Sequence, residues 1–382
     1  MKKSLTAAAT ALSLMFNQAY AVDAMMFRNG TEVASISEEE RRVWTASIES
    51  DQALKKADRV WADAETTAYL QSVLDRLFPE FRGSIRIAIL NAPQLNAMAL
   101  PNGSLYINAG LLARIENEAQ LATILAHEGA HFTHRHGYRH TQNIKSSSAF
   151  AIGMAMLGVP IIGSVLAISS AFGYSRELET EADALAFDRL ARAGYDVNET
   201  SRTFEHLLRE ISEFEINEPF FFASHPAMRD RVESFKALLA KQPSAGGESK
   251  EAEFVARTAR VRTLSIENDL AANRYKSVFA VLENPLLVKS YPAHYQYYLG
   301  EACRLRNGNG DGERAEVHYL AASAAAPTFA PVQRALGVYY LRNGQHAKAL
   351  VHFTRYLELA PAASDAAYVR GYIEQAKQGA QV

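Results

Sequence analysis

Two histidines four residues apart, in a mostly apolar run, constrain this chain more than any other feature of its sequence. The run from His127 to His131 is His-Glu-Gly-Ala-His. Residues four apart lie on one face of a helix, so both imidazoles can bind one tetrahedral zinc ion. Glu128 lies beside them, where its carboxylate can take a proton from zinc-bound water. The pattern predicts a buried helix from about Glu118 to His136, and the alternative is a structural histidine pair, whose burial would be costly.

A catalytic zinc site also needs a third protein ligand and an open position. A second helix, predicted over Arg176–Ala193, offers two candidates, because Glu179 and Asp183 are four apart and share a face. One can bind the metal while the other accepts a hydrogen bond from a ligating imidazole, and the spacing does not decide which. Glu177 and Glu181 point elsewhere on this helix and are expected to face solvent.

Six further polar side chains lie near these two helices in the sequence. Three are candidates to stabilise an oxyanion, with a structural role as the alternative for each: Tyr174, Arg176 and His225. Three more histidines are interpreted as polar residues at a helix end, where cationic side chains suit the helix dipole: His134, His136 and His140. Spacing assigns neither set to the metal.

Patterns typical of β-strands precede the histidine helix. Ile85–Ile89 alternates apolar with other residues, and the runs Asn96–Leu100 and Leu105–Asn108 flank the sequence Pro-Asn-Gly-Ser. Asn-Gly between two such runs predicts a hairpin with a type I′ turn, in which both central residues have positive φ.

The beginning of the sequence predicts export. A short basic region precedes an uncharged, mostly apolar stretch from Ser4 to Phe16, and small residues at Ala19 and Ala21 match a signal-peptide cleavage site. We expect cleavage after Ala21, and the alternative is an uncleaved anchor. The single cysteine, Cys303, cannot form an internal disulfide. These features favour the bacterial periplasm.

A long uncharged stretch raises the question of a membrane span. No charged residue occurs between Lys145 and Arg176, a length that could cross a bilayer. A single crossing would place His127 and Glu179 on opposite sides, where one zinc ion could not join them. We therefore expect a buried core segment, and the alternative is peripheral membrane contact through residues 149–172.

The C-terminal part repeats the pattern of a tetratricopeptide unit of about 34 residues. One unit is marked by Leu336, Gly337, Tyr340, Ala349, Phe353 and Pro361. The preceding unit, with a longer turn at 307–312, is marked by Leu299, Gly300, Ala315, Tyr319 and Pro327. We expect a degenerate unit within 266–285, a capping helix within 364–377, and Cys303 buried in the packing. Stacked units form a concave surface that binds extended segments, and the alternative is a plain helical tail.

Four of these motifs together resemble one family of zinc metallopeptidases, over residues 80–240. They are the run His127–His136, the segment Ser175–Asp183, the hairpin region Asn96–Leu112, and Ser224-His225-Pro226 followed by Arg231. The family includes the CAAX prenyl endopeptidase and HtpX. The resemblance implies that Glu179 is the third zinc ligand and that Asp183 either hydrogen-bonds a ligating histidine or donates a proton.

The resemblance also implies how substrate binds and how activity is controlled. Substrate would lie along one edge of the hairpin as an added strand, held by main-chain hydrogen bonds. That edge is expected to be the strand containing Ser104, Leu105, Tyr106, Ile107 and Asn108. In the periplasmic branch, a histidine matching His225 can occupy the fourth zinc position and hold the enzyme latent.

We therefore expect a mainly α (α+β) protein, with a small β-sheet in a helical zinc-peptidase domain and a tetratricopeptide solenoid after it. The expected parts are a signal peptide at 1–21, a zinc metallopeptidase domain at 22–241, a linker at 242–252 and the repeat domain at 253–382. This order resembles the periplasmic branch of β-barrel assembly-enhancing proteases.

That branch implies one zinc ion per chain and quality control of outer-membrane or other envelope proteins. The expected substrates are unfolded or misassembled envelope proteins, and the repeats would contact the outer-membrane assembly machinery. The alternative is a chaperone or scaffold that acts mainly through the repeats, with latent protease activity. A net charge of −2 excludes the concentrated basic surface that nucleic-acid binding needs.

Overall fold

The computed structural model describes residues 37–145, 174–213, 228–242, 246–282 and 289–380. The described part is mainly helical and contains one small sheet. This confirms the expectation of a mainly α protein with a small β-sheet. The chain divides into two compact units, which meet in sequence at Ser265 and Ile266. The predicted signal peptide lies outside the described residues.

The first unit contains the sheet. Its strands are β1 (Arg86–Leu90), β2 (Ala97–Ala99) and β3 (Ser104–Asn108). Its helices are α1 (Glu38–Lys56), α2 (Ala64–Leu77), α3 (Ala109–Arg114), α4 (Glu118–Thr133), α5 (His136–Lys145), α6 (Arg176–Arg192), α7 (Glu199–Glu213), α8 (Met228–Lys241) and α9 (Glu251–Ala271), the last of which continues into the second unit.

The sheet has the order β1-β3-β2, with β1 parallel and β2 antiparallel to β3. The expectation that Ser104–Asn108 forms the substrate-side edge is therefore wrong, because this strand is central and all five of its residues are buried. Its backbone groups are paired on both sides, so it cannot accept an added strand. The order leaves β1 and β2 at the two edges of the described sheet, and β2 is the edge strand that leads into the hairpin turn.

The hairpin forms as predicted, but with a different turn. Only Gly103 has a positive φ, of 82°, whereas Asn102 does not. The N–H of Gly103 donates to the carbonyl of Leu100, and that of Leu100 donates to the carbonyl of Ser104. Residues 101–103 therefore form a three-residue loop that ends in a left-handed glycine. Pro101 suits its first position, because its ring fixes φ near the value that this position requires.

Helix α4 lies at the centre of the first unit's core. All residues from Glu118 to Thr133 are buried. A Cβ on Gly129 would lie 2.3 Å from the ring of Phe78, so the glycine permits this ring to pack against the helix. The helix is shorter than predicted because Arg135 has a φ of 57°, and α5 then begins a new direction at His136.

The first unit extends past the expected linker. The N–H of Glu248 donates to the carbonyl of Gly194, and Phe254 and Val261 of α9 lie in the core of this unit. A Cβ on Gly247 would lie 2.4 Å from the backbone of Tyr195. A glycine that suggested a flexible connection in the sequence instead permits a close backbone contact.

The second unit consists of consecutive packed helices. They are α10 (Tyr275–Leu282), α11 (Pro292–Arg306), α12 (Asp311–Ala325), α13 (Ala330–Arg342), α14 (His346–Leu359) and α15 (Ala366–Gly379). Helix α11 packs on α12, and α13 packs on α14. Helices lie in the predicted third unit and at the predicted cap, while the assignment of these pairs to tetratricopeptide repeats stays a prediction.

The glycine and the aromatic residue of the predicted repeat pattern meet in both helix pairs. A Cβ on Gly300 would lie 2.5 Å from the ring of Tyr319, and one on Gly337 would lie 2.5 Å from the ring of Phe353. Each glycine therefore permits its helix to approach the aromatic ring of the next helix. Cys303 is buried in the same core, as expected.

Among the described residues, none of the helices combines the length and apolar character needed to cross a bilayer. The uncharged stretch at 149–172 lies outside the described residues, so its core or membrane-contacting role stays a prediction.

Two glycine-to-alanine changes should shift stability in opposite directions. A Cβ on Gly371 in α15 would meet no heavy atom within 4 Å, so Gly371→Ala should stabilise the helix by about 1 kcal/mol. Gly337→Ala should instead destabilise by about 1–3 kcal/mol, because the methyl group would overlap the buried ring of Phe353. Circular dichroism during urea unfolding of the full chain gives the free energy of unfolding of each variant. Equal changes in this free energy for the two variants would contradict the packing of Gly337 against Phe353.

Candidate metal centre

Helix α6 packs on α4 and brings a carboxylate to the two histidines of the sequence motif. The Nε2 atoms of His127 and His131 are 2.9 Å apart. One carboxylate oxygen of Glu179 lies 3.4 Å from Nε2 of His127, and the other lies 3.5 Å from Nε2 of His131. All three side chains are buried. The structure thus brings together the two histidines that their spacing predicts as ligands and the glutamate that the resemblance implies as the third.

These three side chains suit zinc. Two imidazole nitrogens and one carboxylate oxygen form a ligand set that zinc uses in hydrolases, with a fourth position left open. Bonds of about 2.0–2.1 Å in a tetrahedral arrangement place donor atoms about 3.3 Å apart. The three measured separations, from 2.9 to 3.5 Å, lie around that value, so one ion can contact all three groups after small side-chain adjustments.

Asp183 lies behind His127, on the side of the ring opposite the Glu179 carboxylate. Its Oδ1 is 3.0 Å from Nδ1 of His127 and accepts hydrogen bonds from Nε and Nη2 of Arg231, at 3.0 and 2.8 Å. Asp183 and Arg231 are both buried. Of the two roles left open for Asp183, this placement favours orienting the imidazole over donating a proton to substrate.

The charges around His127 favour a cation at this place. Burial and the guanidinium of Arg231 act to lower the pKa of His127, but the carboxylates of Glu179 and Asp183 outweigh them and raise it to about 9. Two carboxylates therefore attract positive charge to the imidazole. A divalent metal ion held by the same groups would supply that charge.

Glu128 follows His127 in α4, and Tyr174 contacts His131. Glu128 is buried in α4, and the ring of Tyr174 stacks on that of His131 with centroids 4.0 Å apart. Burial, together with the carboxylates of Glu128 and Glu179, raises the pKa of the Tyr174 hydroxyl. Tyr174 therefore stays protonated at neutral pH and can act as a hydrogen-bond donor in the site.

The other two oxyanion candidates are not at the centre. The side chain of Arg176 is 83% exposed, and its guanidinium lies 3.8 Å from the carboxylate of Asp230. This placement opposes a role for Arg176 at the metal. His225 lies outside the described residues, so its role in latency or catalysis stays a prediction.

The interpretation of the three later histidines as cationic helix-end residues is wrong for His134 and His136. Both side chains are buried, and burial lowers the pKa of each imidazole. The pKa of His134 falls to about 4. Both are therefore neutral at pH 7, and they cannot act as cations at the end of α4. The pKa of His140 is also lowered by burial.

Glu181 also differs from its expected place on a solvated helix face. Its carboxylate lies 3.6 Å from Nε2 of His136 and 2.9 Å from the guanidinium of Arg139. Burial opposes ionisation, but the interactions with His136 and Arg139 lower the pKa of Glu181 to about 2. Glu177, one turn earlier, is exposed as expected.

A small cavity is lined by one candidate ligand, His131, and by the end of β2. Its lining combines apolar side chains and the aromatic rings next to the histidines: Val43, Trp44, Ala99, Leu100, Pro101, His131, Phe132, Tyr138 and Tyr174, with Glu40, Arg135 and Gly137. Ala99 of β2 and His131 therefore line the same cavity.

The sequence does not indicate the contacts that two further residues make at the site. Arg231 contacts His127 through Asp183, and this pairing requires α8 to pack on α6. His136 contacts His131 directly. The sequence places His136 only near a helix end, because the apolar periodicity does not predict the change of direction at Arg135 that brings His136 to His131.

Comparison with known proteins identifies the region that holds these side chains. Residues 64–239 match Peptidase family M48. The chain is 28% identical over 162 residues to the putative beta-barrel assembly-enhancing protease of Vibrio cholerae, which covers 39% of this chain and 33% of the relative. It is 28% identical over 182 residues to the mitochondrial metalloendopeptidase OMA1 of Schizosaccharomyces pombe, which covers 46% and 53%.

A third relative is the beta-barrel assembly-enhancing protease of Escherichia coli (strain K12), 24% identical over 222 residues, which cover 54% of this chain and 45% of the relative. The chain thus spans between a third and about half the length of these relatives. The matched range contains both helices of the metal centre and the strands beside it. Residues 64–239 of this chain therefore form a domain of Peptidase family M48.

Proposed function

We propose that this chain is a zinc-dependent endopeptidase in which His127, His131 and Glu179 hold the metal and Glu128 is the general base. The observation that carries this proposal is the approach of the Glu179 carboxylate to within 3.4 and 3.5 Å of the two histidine Nε2 atoms. The metalloendopeptidase names of several relatives, including that of Schizosaccharomyces pombe, support the same activity.

The side chains have separate tasks in peptide-bond hydrolysis. Zinc, when bound, supplies Lewis acidity toward the scissile carbonyl and the attacking water. Glu128 removes a proton from that water and then delivers it to the nitrogen of the leaving amine. Tyr174, neutral because its pKa is raised, donates a hydrogen bond to the developing oxyanion. Asp183 holds the ring of His127 through Nδ1, and Arg231 fixes Asp183.

Substrate binds as an added strand along the outer edge of β2. The N–H of Leu100 donates to the carbonyl of Ser104, and the carbonyl of Asn96 accepts from the N–H of Asn108. The alternation of an antiparallel pair therefore turns the N–H and C=O of Ala97 and Ala99 away from β3. Main-chain pairing at this edge grips an extended chain of almost any sequence. That property suits unfolded or misassembled proteins as substrates.

The wider role follows from the parts of the chain outside the metal centre. The pattern at residues 2–21 supports export to the periplasm, and the helix pairs of the second unit support a tetratricopeptide repeat module beside the peptidase domain. We propose that the enzyme removes misassembled envelope proteins and that the repeats contact the outer-membrane assembly machinery. The names of the relatives from Vibrio cholerae and Escherichia coli support this role.

Changing the general base should separate catalysis from metal binding. Glu128→Gln should lower kcat for an unfolded protein substrate by about 10²- to 10⁴-fold, because the amide cannot accept the proton. Zinc content, measured by atomic absorption, should stay at one per chain. Glu179→Gln is the matched variant, and it should lose zinc as well as activity. Wild-type turnover by Glu128→Gln would refute the proposed mechanism.

The same variant tests the biological role. Glu128→Gln should retain substrates in vivo, and crosslinking followed by mass spectrometry should identify envelope proteins among them. If Glu128→Gln fully rescued a deletion strain, cleavage would not be the main function, and a chaperone or scaffold acting through the repeats would replace it.

A proline at the edge strand should weaken substrate binding without disturbing the sheet. Ala99→Pro removes an N–H that points away from β3, and we expect kcat/KM to fall by about 2- to 10-fold for one lost hydrogen bond. Met98→Pro is the control, because the N–H of Met98 points toward β3 and its loss should lower the thermal unfolding temperature. Unchanged kcat/KM in a stable Ala99→Pro protein would contradict binding at this edge.

A further inference from the structure

We propose that His136 and Glu181 are positioning residues, which hold the imidazole of His131 from behind while its other ring nitrogen binds zinc. The inference rests on the proposed zinc centre. It assigns to His131 a support different from the one that Asp183 gives to His127, since the group in direct contact is a neutral imidazole rather than a carboxylate.

The contact between His131 and His136 joins two ring nitrogens. Nδ1 of His136 is 2.9 Å from Nδ1 of His131, and Nε2 of His131 is the atom that faces Glu179. A hydrogen bond at this distance needs one donor and one acceptor. An imidazole that binds metal through Nε2 carries its proton on Nδ1, so His131 donates and His136 accepts.

The second ring nitrogen of His136 faces a carboxylate. Nε2 of His136 lies 3.6 Å from Oε2 of Glu181, and the proton of a neutral His136 that accepts through Nδ1 is on this atom. Arg139 fixes Glu181, because its Nη1 is 3.1 Å from Oε1 and its Nη2 is 2.9 Å from Oε2. The carboxylate therefore favours the tautomer of His136 that leaves Nδ1 free to accept from His131.

Packing holds the ring of His136 in this orientation. The side chain is fully buried, and its ring stands edge-on to that of His131, with centroids 4.9 Å apart and an angle of 75° between the planes. The ring of Tyr174 also lies edge-on to it, at 6.3 Å. A buried imidazole without access to water keeps its hydrogen bonds within the protein, so the contact with His131 is persistent.

The two ligand histidines are thus supported by different chemistry. Asp183 faces Nδ1 of His127 with a carboxylate, which both orients the ring and increases its basicity. His136 faces Nδ1 of His131 with a neutral nitrogen. Because its ring lies between His131 and Glu181, the negative charge of that carboxylate increases the basicity of His131 less than Asp183 increases that of His127. We therefore expect His136 to act mainly on the orientation of His131, and hence on the affinity and geometry of the metal site.

Zinc affinity and the cobalt spectrum test this assignment in the full chain. His136→Leu removes the acceptor, and we expect the zinc Kd, from competition with a chromogenic chelator, to rise about 10- to 100-fold. The visible absorption bands of the Co²⁺-substituted protein should change as well. His136→Asn offers a side-chain oxygen close to the former Nδ1 position, so it should recover most of the affinity and the wild-type spectrum.

A second pair of variants keeps the test decisive if His136→Leu does not fold. Glu181→Ala removes the partner of Nε2 from a partly exposed position, and the zinc Kd should rise by a smaller factor, about 3- to 10-fold. Glu177→Ala is the matched control on the same helix, one turn earlier and exposed, and its Kd should equal that of the wild type.

The outcomes separate this inference from the proposed function. If the wild type binds zinc and hydrolyses protein, but Glu181→Ala and folded His136→Leu keep its Kd and cobalt spectrum, the positioning role is wrong while the peptidase proposal stands. A His136→Asn protein as weak in zinc binding as His136→Leu would also contradict the hydrogen bond. If the wild type binds no zinc, the proposed function itself fails.

Discussion

The packing of α6 against α4 is the constraint on which the rest of the first unit depends. It buries two imidazoles and a carboxylate, which would destabilise the fold if they had no partners. The two helices pack on each other, and Leu121 and Leu125 of α4 belong to the same buried hydrophobic core as Ala186 of α6. The hydrophobic core therefore sets the distance at which the polar groups meet, and a bound cation would offset their cost.

Two further helices, α5 and α8, hold the side chains that contact the candidate metal centre from outside α4 and α6. Asp183 on α6 is fixed by Arg231 of α8, while His136 at the start of α5 faces the second imidazole. Nδ1 of each ligand histidine therefore has a defined neighbour from outside α4. A ligand set whose outer contacts come from separate helices loses its geometry when any one of them shifts, so the centre depends on the folded unit as a whole.

Local periodicity predicted the parts of the site that lie within one element, and it failed where separate elements meet. The spacing of His127 and His131 and the shared face of Glu179 and Asp183 follow from the helical repeat, and Asn-Gly predicted the hairpin. The parallel pairing of β1 with β3 is a long-range contact, and it makes the expected edge strand central. The burial of His136 likewise depends on a positive φ at Arg135, to which no sequence pattern pointed.

The hairpin turn lies between β2, the proposed substrate edge, and the start of α5, which contains His136. Gly103 needs its positive φ, and a Cβ there would also lie 2.2 Å from the carbonyl oxygen of Ser84, so the turn is held close to the chain before β1. On its other side, Pro101 lies so close to Gly137 of α5 that a Cβ on the glycine would be 2.9 Å from the proline ring. Gly137 follows His136 directly. The first turn of α5 therefore contacts the hairpin turn through Gly137 and His131 through His136, so the proposed substrate edge and the proposed metal ligand have one neighbouring helix in common.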